Sequence, residues 1–93
     1  MYEIDVNKTL KHLVQRLGEC VDAIDGCSEL SELVKHTERL KDLTYEWVAI
    51  NDILDNTNPI IFIQILNVNK MFKDAAKIAS LQSMKLYLEG LEG

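Results

Sequence analysis

The sequence predicts an all-α fold, an elongated antiparallel three-helix bundle that forms a single domain over residues 1–93. Only one of the 93 residues is proline and four are glycine, a composition that is unfavourable for loop-rich or all-β folds. Three segments carry apolar residues at the i, i+3, i+4, i+7 spacing of amphipathic helices. Short turns separate these segments, and short turns make neighbouring helices antiparallel.

Helix 1 is predicted over residues 6–25. Asp5 is a suitable N-cap, and Gly26 is placed to end the helix. One stripe of apolar side chains follows the helical repeat, and Cys20 lies at the edge of this stripe. Its members are Leu10, Leu13, Val14, Leu17, Val21 and Ile24.

Helix 2 is predicted over residues 29–54, with Glu29 and Glu32 favourably placed in its first turn. Thr37, Thr44 and Asn51 share the core-facing side of this helix, where polar side chains usually bond a backbone carbonyl or each other. The apolar members of that side are Leu30, Leu33, Leu40, Leu43, Trp47 and Leu54.

Helix 3 is predicted over residues 59–89, with Asn58 as N-cap, Pro59 as its first residue and Gly90 closing it. Residues 60–66 are apolar on every side and are also compatible with a buried strand. No other segment pairs with such a strand, so the helix is favoured. Its principal stripe consists of Ile61, Ile65, Val68, Phe72, Ala75, Ala76, Ala79 and Leu86.

The three predicted helices differ in length, at about 30, 39 and 46 Å for a rise of 1.5 Å per residue. Helix 1 then covers helix 2 only as far as Trp47, and the tip of the helix 2–3 hairpin projects. Tyr2 and Ile4 are too few to cover this tip, so we expect self-association as a homodimer or a larger assembly. The residues expected at the contact are Ile53, Ile60, Phe62, Ile63 and Leu66, with Leu81, Met84 and Leu88 as a second stripe.

The net charge of −5 is unevenly distributed, with −6 in residues 1–58 and +1 in residues 59–93. Between Arg16 and Lys35 there are five acids and no base, which argues against nucleic-acid binding and favours a basic protein partner. The alternative is an ordinary solvated surface balanced by Lys77 and Lys85. The five acids are Glu19, Asp22, Asp25, Glu29 and Glu32.

The remaining features predict a cytoplasmic protein with no membrane segment and no cofactor. No apolar run has the length of a membrane span, and the first five residues lack the pattern of a secretory signal. Without an export signal, Cys20 and Cys27 are expected to be reduced thiols. The cysteines and histidines do not have the spacing of a zinc site, so we predict no metal.

Two motifs suggest enzymatic alternatives. Glu19-x-x-Asp22 followed by Asp52-x-x-Asp55 resembles the paired acidic motifs of all-α nucleoside triphosphate pyrophosphohydrolases, which hold Mg²⁺. That resemblance implies a metal-dependent nucleotide hydrolase. However, Glu19 and Asp22 lie opposite the apolar stripe of helix 1 and face water, whereas metal-binding carboxylates converge in a cavity.

His36 with Arg39 three residues later is similar to the motif of phosphotransfer helical bundles. Leu40 stands where those bundles usually have glycine, and His36 lies at the edge of the core. We therefore interpret His36 as a structural histidine.

The sequence favours a non-enzymatic helical protein-interaction module that oligomerises and binds or blocks a macromolecular partner. Phage-encoded inhibitors and small bacterial regulatory subunits are often compact acidic chains of this kind. The alternatives are the metal-dependent hydrolase and a small-ligand binder with a pocket at a subunit interface.

Overall fold

The computed structural model describes the backbone of residues 5–92 and the side chains of residues 5–91. Within these residues the chain forms three α-helices, Val6–Asp25 (α1), Leu30–Ile53 (α2) and Pro59–Glu92 (α3). Each helix packs against the other two, and the molecule measures 57 × 22 × 17 Å. The predicted all-α, elongated three-helix bundle is therefore confirmed.

Side-chain contacts fix the directions of the helices. Arg16 of α1 contacts Glu46 of α2, whereas Cys20, further along α1, contacts the earlier residue His36. The two helices are therefore antiparallel. Gln64 of α3 bonds to Asn7, and Gln82 bonds to the carbonyl of Cys27, so α3 runs in the same direction as α1.

The helix ends follow local capping chemistry. Asp5 Oδ1 accepts a hydrogen bond from the backbone N–H of Lys8 at 3.1 Å, and Asn58 Oδ1 accepts one from Ile60 at 3.0 Å. Gly26 ends α1 at φ −86°, outside the left-handed region, and its N–H bonds to the Asp22 carbonyl. Glu29 is the N-cap of α2 rather than its first helical residue, and its side chain makes no capping bond.

The predicted end of helix 3 is wrong. The helix passes through Gly90 and continues to Glu92. None of the described glycines has a positive φ, so Gly90 adopts an ordinary helical conformation. Glycine only permits a helix to end, and nothing in the surrounding fold forces a turn here.

The core follows one seam through the three predicted apolar stripes. Each helix contributes the apolar side that faces the other two, as the helical repeat requires. The predicted seam residues are all buried, namely Leu13, Leu17, Leu33, Leu40, Trp47, Val68, Phe72 and Ala79. Trp47 and Phe72 stack with their ring centroids 6.3 Å apart, and Trp47 Nε1 donates a 2.8 Å hydrogen bond to Asn69 Oδ1.

Two of the three predicted polar positions of α2, Thr37 and Thr44, also behave as expected. The hydroxyls of Thr37 and Thr44 donate to the carbonyls of Leu33 and Leu40 at 2.9 and 2.8 Å. These bonds satisfy both hydroxyls inside their own helix.

Several positions at the margin of the core differ from prediction. Cys20, expected at the edge of the stripe, is fully buried between α1 and α2. Leu30 and Ala76 are exposed, while Val14 and Val21 are only partly buried. Three packed helices enclose only a narrow strip of each helix. The burial of residues at the edges of a predicted stripe therefore depends on the neighbouring helices rather than on periodicity.

The coverage by α1 extends further than its length predicted. Val6, Ile50, Leu54 and Ile61 are all partly buried against the core, so α1 covers α2 beyond Trp47. The projecting tip of the α2–α3 hairpin is therefore shorter than predicted, but it is still present. The predicted fold-back of Tyr2 and Ile4 lies outside the described residues. None of the helices in the described part of the chain has the length and apolar character needed to cross a membrane.

Candidate protein-interaction surfaces

The end of the α2–α3 hairpin carries an exposed apolar surface. Its five large side chains are between 47% and 71% exposed, whereas those of the core seam are almost completely enclosed. We call this set the hairpin-end surface. It consists of Ile53, Ile60, Phe62, Ile63 and Leu66, the same residues that the sequence assigned to self-association.

The hairpin-end surface surrounds the first turns of α3. Gln64 marks the side of α3 that faces α1, and Asn69 marks the side that faces α2. At 100° per residue, Phe62 lies on the Asn69 side and Ile60 lies closer to the Gln64 side. Ile63 points away from both. The exposed side chains therefore surround this end of the helix and do not form one flat patch.

A second exposed stripe lies near the other end of α3. Leu81, Met84 and Leu88 are between 50% and 64% exposed, at positions that share the outer side of the helix. Lys70, Lys73 and Lys77 are exposed on the stretch between this stripe and the hairpin-end surface. The two apolar surfaces are thus separated by a basic segment.

The five acids predicted to bind a partner are all exposed, but they occupy different surroundings. Glu19 faces α2, where its carboxylate lies 3.8 Å from Arg39. Asp22 instead faces α3. Glu29 and Glu32 lie at the start of α2. Among the described side chains, neither Lys77 nor Lys85 forms an ion pair with these acids.

Asp22 borders a groove between α1 and α3 with a volume of about 300 Å³. Its lining is mainly apolar, and the only charged groups in it are Asp22 and Asp74. The lining residues are Val14, Leu17, Gly18, Val21, Asp22, Met71, Asp74, Ala75 and Ile78. A second groove of about 240 Å³ includes Val14 as well and extends along the same two helices to Asn7 and Gln64.

Sequence reasoning did not find this groove. Its signal is Gly18, a glycine in the interior of α1. A Cβ atom placed on Gly18 would meet nothing within 4 Å, so the bundle itself does not require glycine there. Glycine in a helix interior costs roughly 0.5–1 kcal/mol relative to alanine.

The residues of the pyrophosphohydrolase-like motif are not brought together. Glu19 lies beside Arg39 in the first half of α2, whereas Asp52 lies in the last turn of α2 and Asp55 lies beyond its end. Hydrogen bonds from Thr57 lower the pKa of Asp55, which is the behaviour of a carboxylate in a local turn. Within residues 5–91, no three His, Cys, Asp or Glu side chains are grouped as a metal site requires.

The remaining candidate side chains are held within the bundle or face water. His36 is partly buried at the core edge and His12 is exposed. Burial raises the pKa of the Cys20 thiol, although the nearby Arg39 charge opposes this shift. Its Sγ lies 3.4 Å from the His36 carbonyl, and Cys27 Sγ lies 3.1 Å from the Glu29 carbonyl. Both thiols are therefore packed as interior groups.

The fold and surfaces define an all-α bundle with two exposed apolar regions and an acidic groove. Comparison with protein-family models, with curated proteins and with solved structures found no match to this chain.

Proposed function

We propose that this protein is a non-enzymatic helical interaction module that self-associates and binds or blocks another protein, in the manner of a phage-type inhibitor or a small regulatory subunit. Self-association uses the hairpin-end surface, with Leu81, Met84 and Leu88 as a second contact. The acidic residues of α1 and of the start of α2 face the partner.

The observation that carries this proposal is the exposure of five large apolar side chains at one end of the bundle. Soluble monomers rarely expose a contiguous apolar surface of this kind. A second copy of the same chain, related by a two-fold axis, removes it from water without another gene product.

Sedimentation velocity tests the proposal directly. The wild-type chain is expected to sediment as a dimer or larger species at tens of micromolar, a concentration at which even a roughly micromolar association is nearly complete. The double variant Phe62→Asp with Ile63→Lys is expected to be monomeric, because it places charges inside the contact.

A matched control introduces the same two charges at exposed side chains of α2, away from the hairpin-end surface. Tyr45→Lys with Val48→Asp alters two residues that are 63% and 58% exposed and lie outside the hairpin-end surface. This variant should sediment like the wild type. A wild-type chain that remains monomeric at tens of micromolar would refute self-association.

A further inference from the structure

We infer that the groove between α1 and α3 binds a basic amphipathic helix of the partner protein, with lysine or arginine placed at Asp22 and Asp74. This inference rests on the proposed function only in assuming a protein partner. Within the acidic surface that faces the partner, it assigns a defined docking site to which Asp22 contributes directly and Glu19 does not.

The shape of the groove supports a helical occupant. The two adjoining grooves follow α1 from Asn7 to Asp22, a length of about 24 Å at 1.5 Å per residue. This length matches four to five turns of helix. A helix in this position packs against two neighbours, as in a four-helix bundle, and buries its apolar stripe in a helix-in-groove arrangement.

Gly18 supports a close approach of that helix. It lies near the middle of the groove and lowers the wall that α1 presents to an incoming helix. Nothing inside the bundle occupies the space a side chain would take. Internal packing therefore does not require a glycine within α1, and contact with a partner backbone would account for one.

Charge identifies the chemistry of the occupant. Asp22 and Asp74 are exposed on opposite walls of this part of the groove and are its only charged lining residues. Lys11 lines the adjoining part. Lys70 and Lys77 are exposed about one turn before and after Asp74 on α3. The most acidic position of the groove is therefore Asp22.

Among the described side chains neither aspartate forms an ion pair. Glu19 already lies near Arg39. A Lys or Arg side chain from the partner that enters between the two walls faces these aspartates, while its apolar neighbours contact Val14, Val21 and Ile78.

The test uses a synthetic peptide of about five helical turns, a length set by the groove. One face carries leucine and alanine, and arginine occupies the flanking positions of one terminal turn. A second peptide has the same apolar face and glutamate in place of arginine. Binding to the ¹⁵N-labelled wild-type chain is followed by amide chemical shifts, with the Gly18 amide as the reporter in the groove.

We expect the arginine peptide to shift the amides of Gly18, Val21 and Ala75 and to bind at least about tenfold more tightly than the glutamate peptide at low salt. Asp22→Asn with Asp74→Asn should weaken binding of the arginine peptide by about tenfold and flatten its salt dependence. Glu38→Gln with Glu89→Gln neutralises two exposed acids outside the groove and should leave binding unchanged.

Gly18→Leu fills the groove and should abolish binding without altering the fold, because the new side chain meets open space. Gly90→Leu is the matched control, since Gly90 is also helical with open space around it. Circular dichroism verifies that both variants fold. Equal binding of the two peptides, undiminished binding by Gly18→Leu, or no shift of the Gly18 amide up to about 1 mM, the weak limit of specific affinity, would overturn the inference.

The outcomes separate the two proposals. If the chain sediments as a monomer but binds the arginine peptide at Gly18, self-association is refuted and the groove site is supported. If the chain dimerises and peptide shifts appear at Phe62 instead of Gly18, self-association is supported and the groove site is refuted.

Discussion

The middle of the bundle and the hairpin end contain similar apolar side chains with opposite fates. Trp47 and Phe72 in the middle are 4% and 8% exposed, whereas Phe62 and Ile63 at the hairpin end are 47% and 57% exposed. Both regions are built by α2 and α3. One difference is α1, which closes the middle and reaches the hairpin end only with its first residues. Another is direction, because Ile63 points away from both other helices, as Tyr45 and Val48 do in the middle, where they are 63% and 58% exposed. Burial therefore depends on whether a side chain faces another helix at its level, more than on the apolar content of each helix.

The polar groups differ in the same way. In the middle they join separate helices, through Arg16 with Glu46 and Trp47 with Asn69. At the hairpin end Asn58 caps its own helix and Asp55 accepts bonds from Thr57, while Gln64 makes a bond to Asn7 of α1. The hairpin end therefore relies more on short-range bonds than the middle does, so mutations in the two regions should act differently on stability.

The largest expected effect is that of Trp47→Ala. The substitution removes a buried indole, its stacking on Phe72 and its bond to Asn69, and should reduce the free energy of unfolding by about 3–5 kcal/mol. Phe62→Ala truncates an aromatic side chain at the hairpin end and should cost less than about 1 kcal/mol in the monomer. Urea unfolding at low protein concentration measures both.

Equal destabilisation by the two variants would contradict the contrast between the middle and the hairpin end. Repeating the Phe62→Ala measurement at higher protein concentration adds information, because a dimer that buries Phe62 makes its truncation more costly as the concentration rises.

A smaller effect is expected at the start of α3. Asn58→Ala removes the side-chain acceptor for the N–H of Ile60 and should cost about 1 kcal/mol, the typical value for an N-cap. Asn56→Ala changes an exposed residue of the same turn and is the control. Hydrogen exchange should locate the loosening in the first turns of α3, with the amides of the middle protected as before. Loss of protection throughout would mean that the hairpin end is coupled to the core.

The sequence predicted well the features that depend on the helical repeat and on adjacent residues. The helical repeat placed Leu13, Trp47 and Phe72 in the core, because side chains at that spacing share one helical side whatever their neighbours are. The caps at Asp5 and Asn58 were predictable for a similar reason, since capping depends on a few adjacent residues.

Periodicity could not predict the burial of residues whose exposure depends on a neighbouring helix. Cys20 is buried because α2 covers it, and Ala76 is exposed because no helix covers it, although both lie on the margin of a predicted stripe. The groove at Gly18 was missed for the same reason, as it exists only where α1 and α3 lie side by side. Gly90 shows a different limit of prediction from local sequence. A glycine permits a helix to end but does not require it, and α3 continues through Gly90.

The smallest expected effect concerns the Arg16–Glu46 pair in the middle of the bundle. The hydrogen bond from Arg16 lowers the pKa of Glu46, with burial opposing the shift. A carboxylate whose pKa is lower in the folded state adds stability above its unfolded pKa and loses it as the pH falls through the folded value. Both side chains are partly exposed, at 29% and 42%, so the contribution of the pair to stability at neutral pH should stay below about 1 kcal/mol.

Glu46→Gln should therefore lower the free energy of unfolding slightly at neutral pH and match the wild type once the pH lies below the folded pKa of Glu46. Glu38→Gln, at an exposed glutamate without an ion pair among the described residues, is the control and should follow the wild type at every pH. Urea unfolding across the acid range measures the difference, and a Glu46→Gln deficit that persists in acid would show that the glutamate stabilises α1 against α2 by packing rather than by its charge.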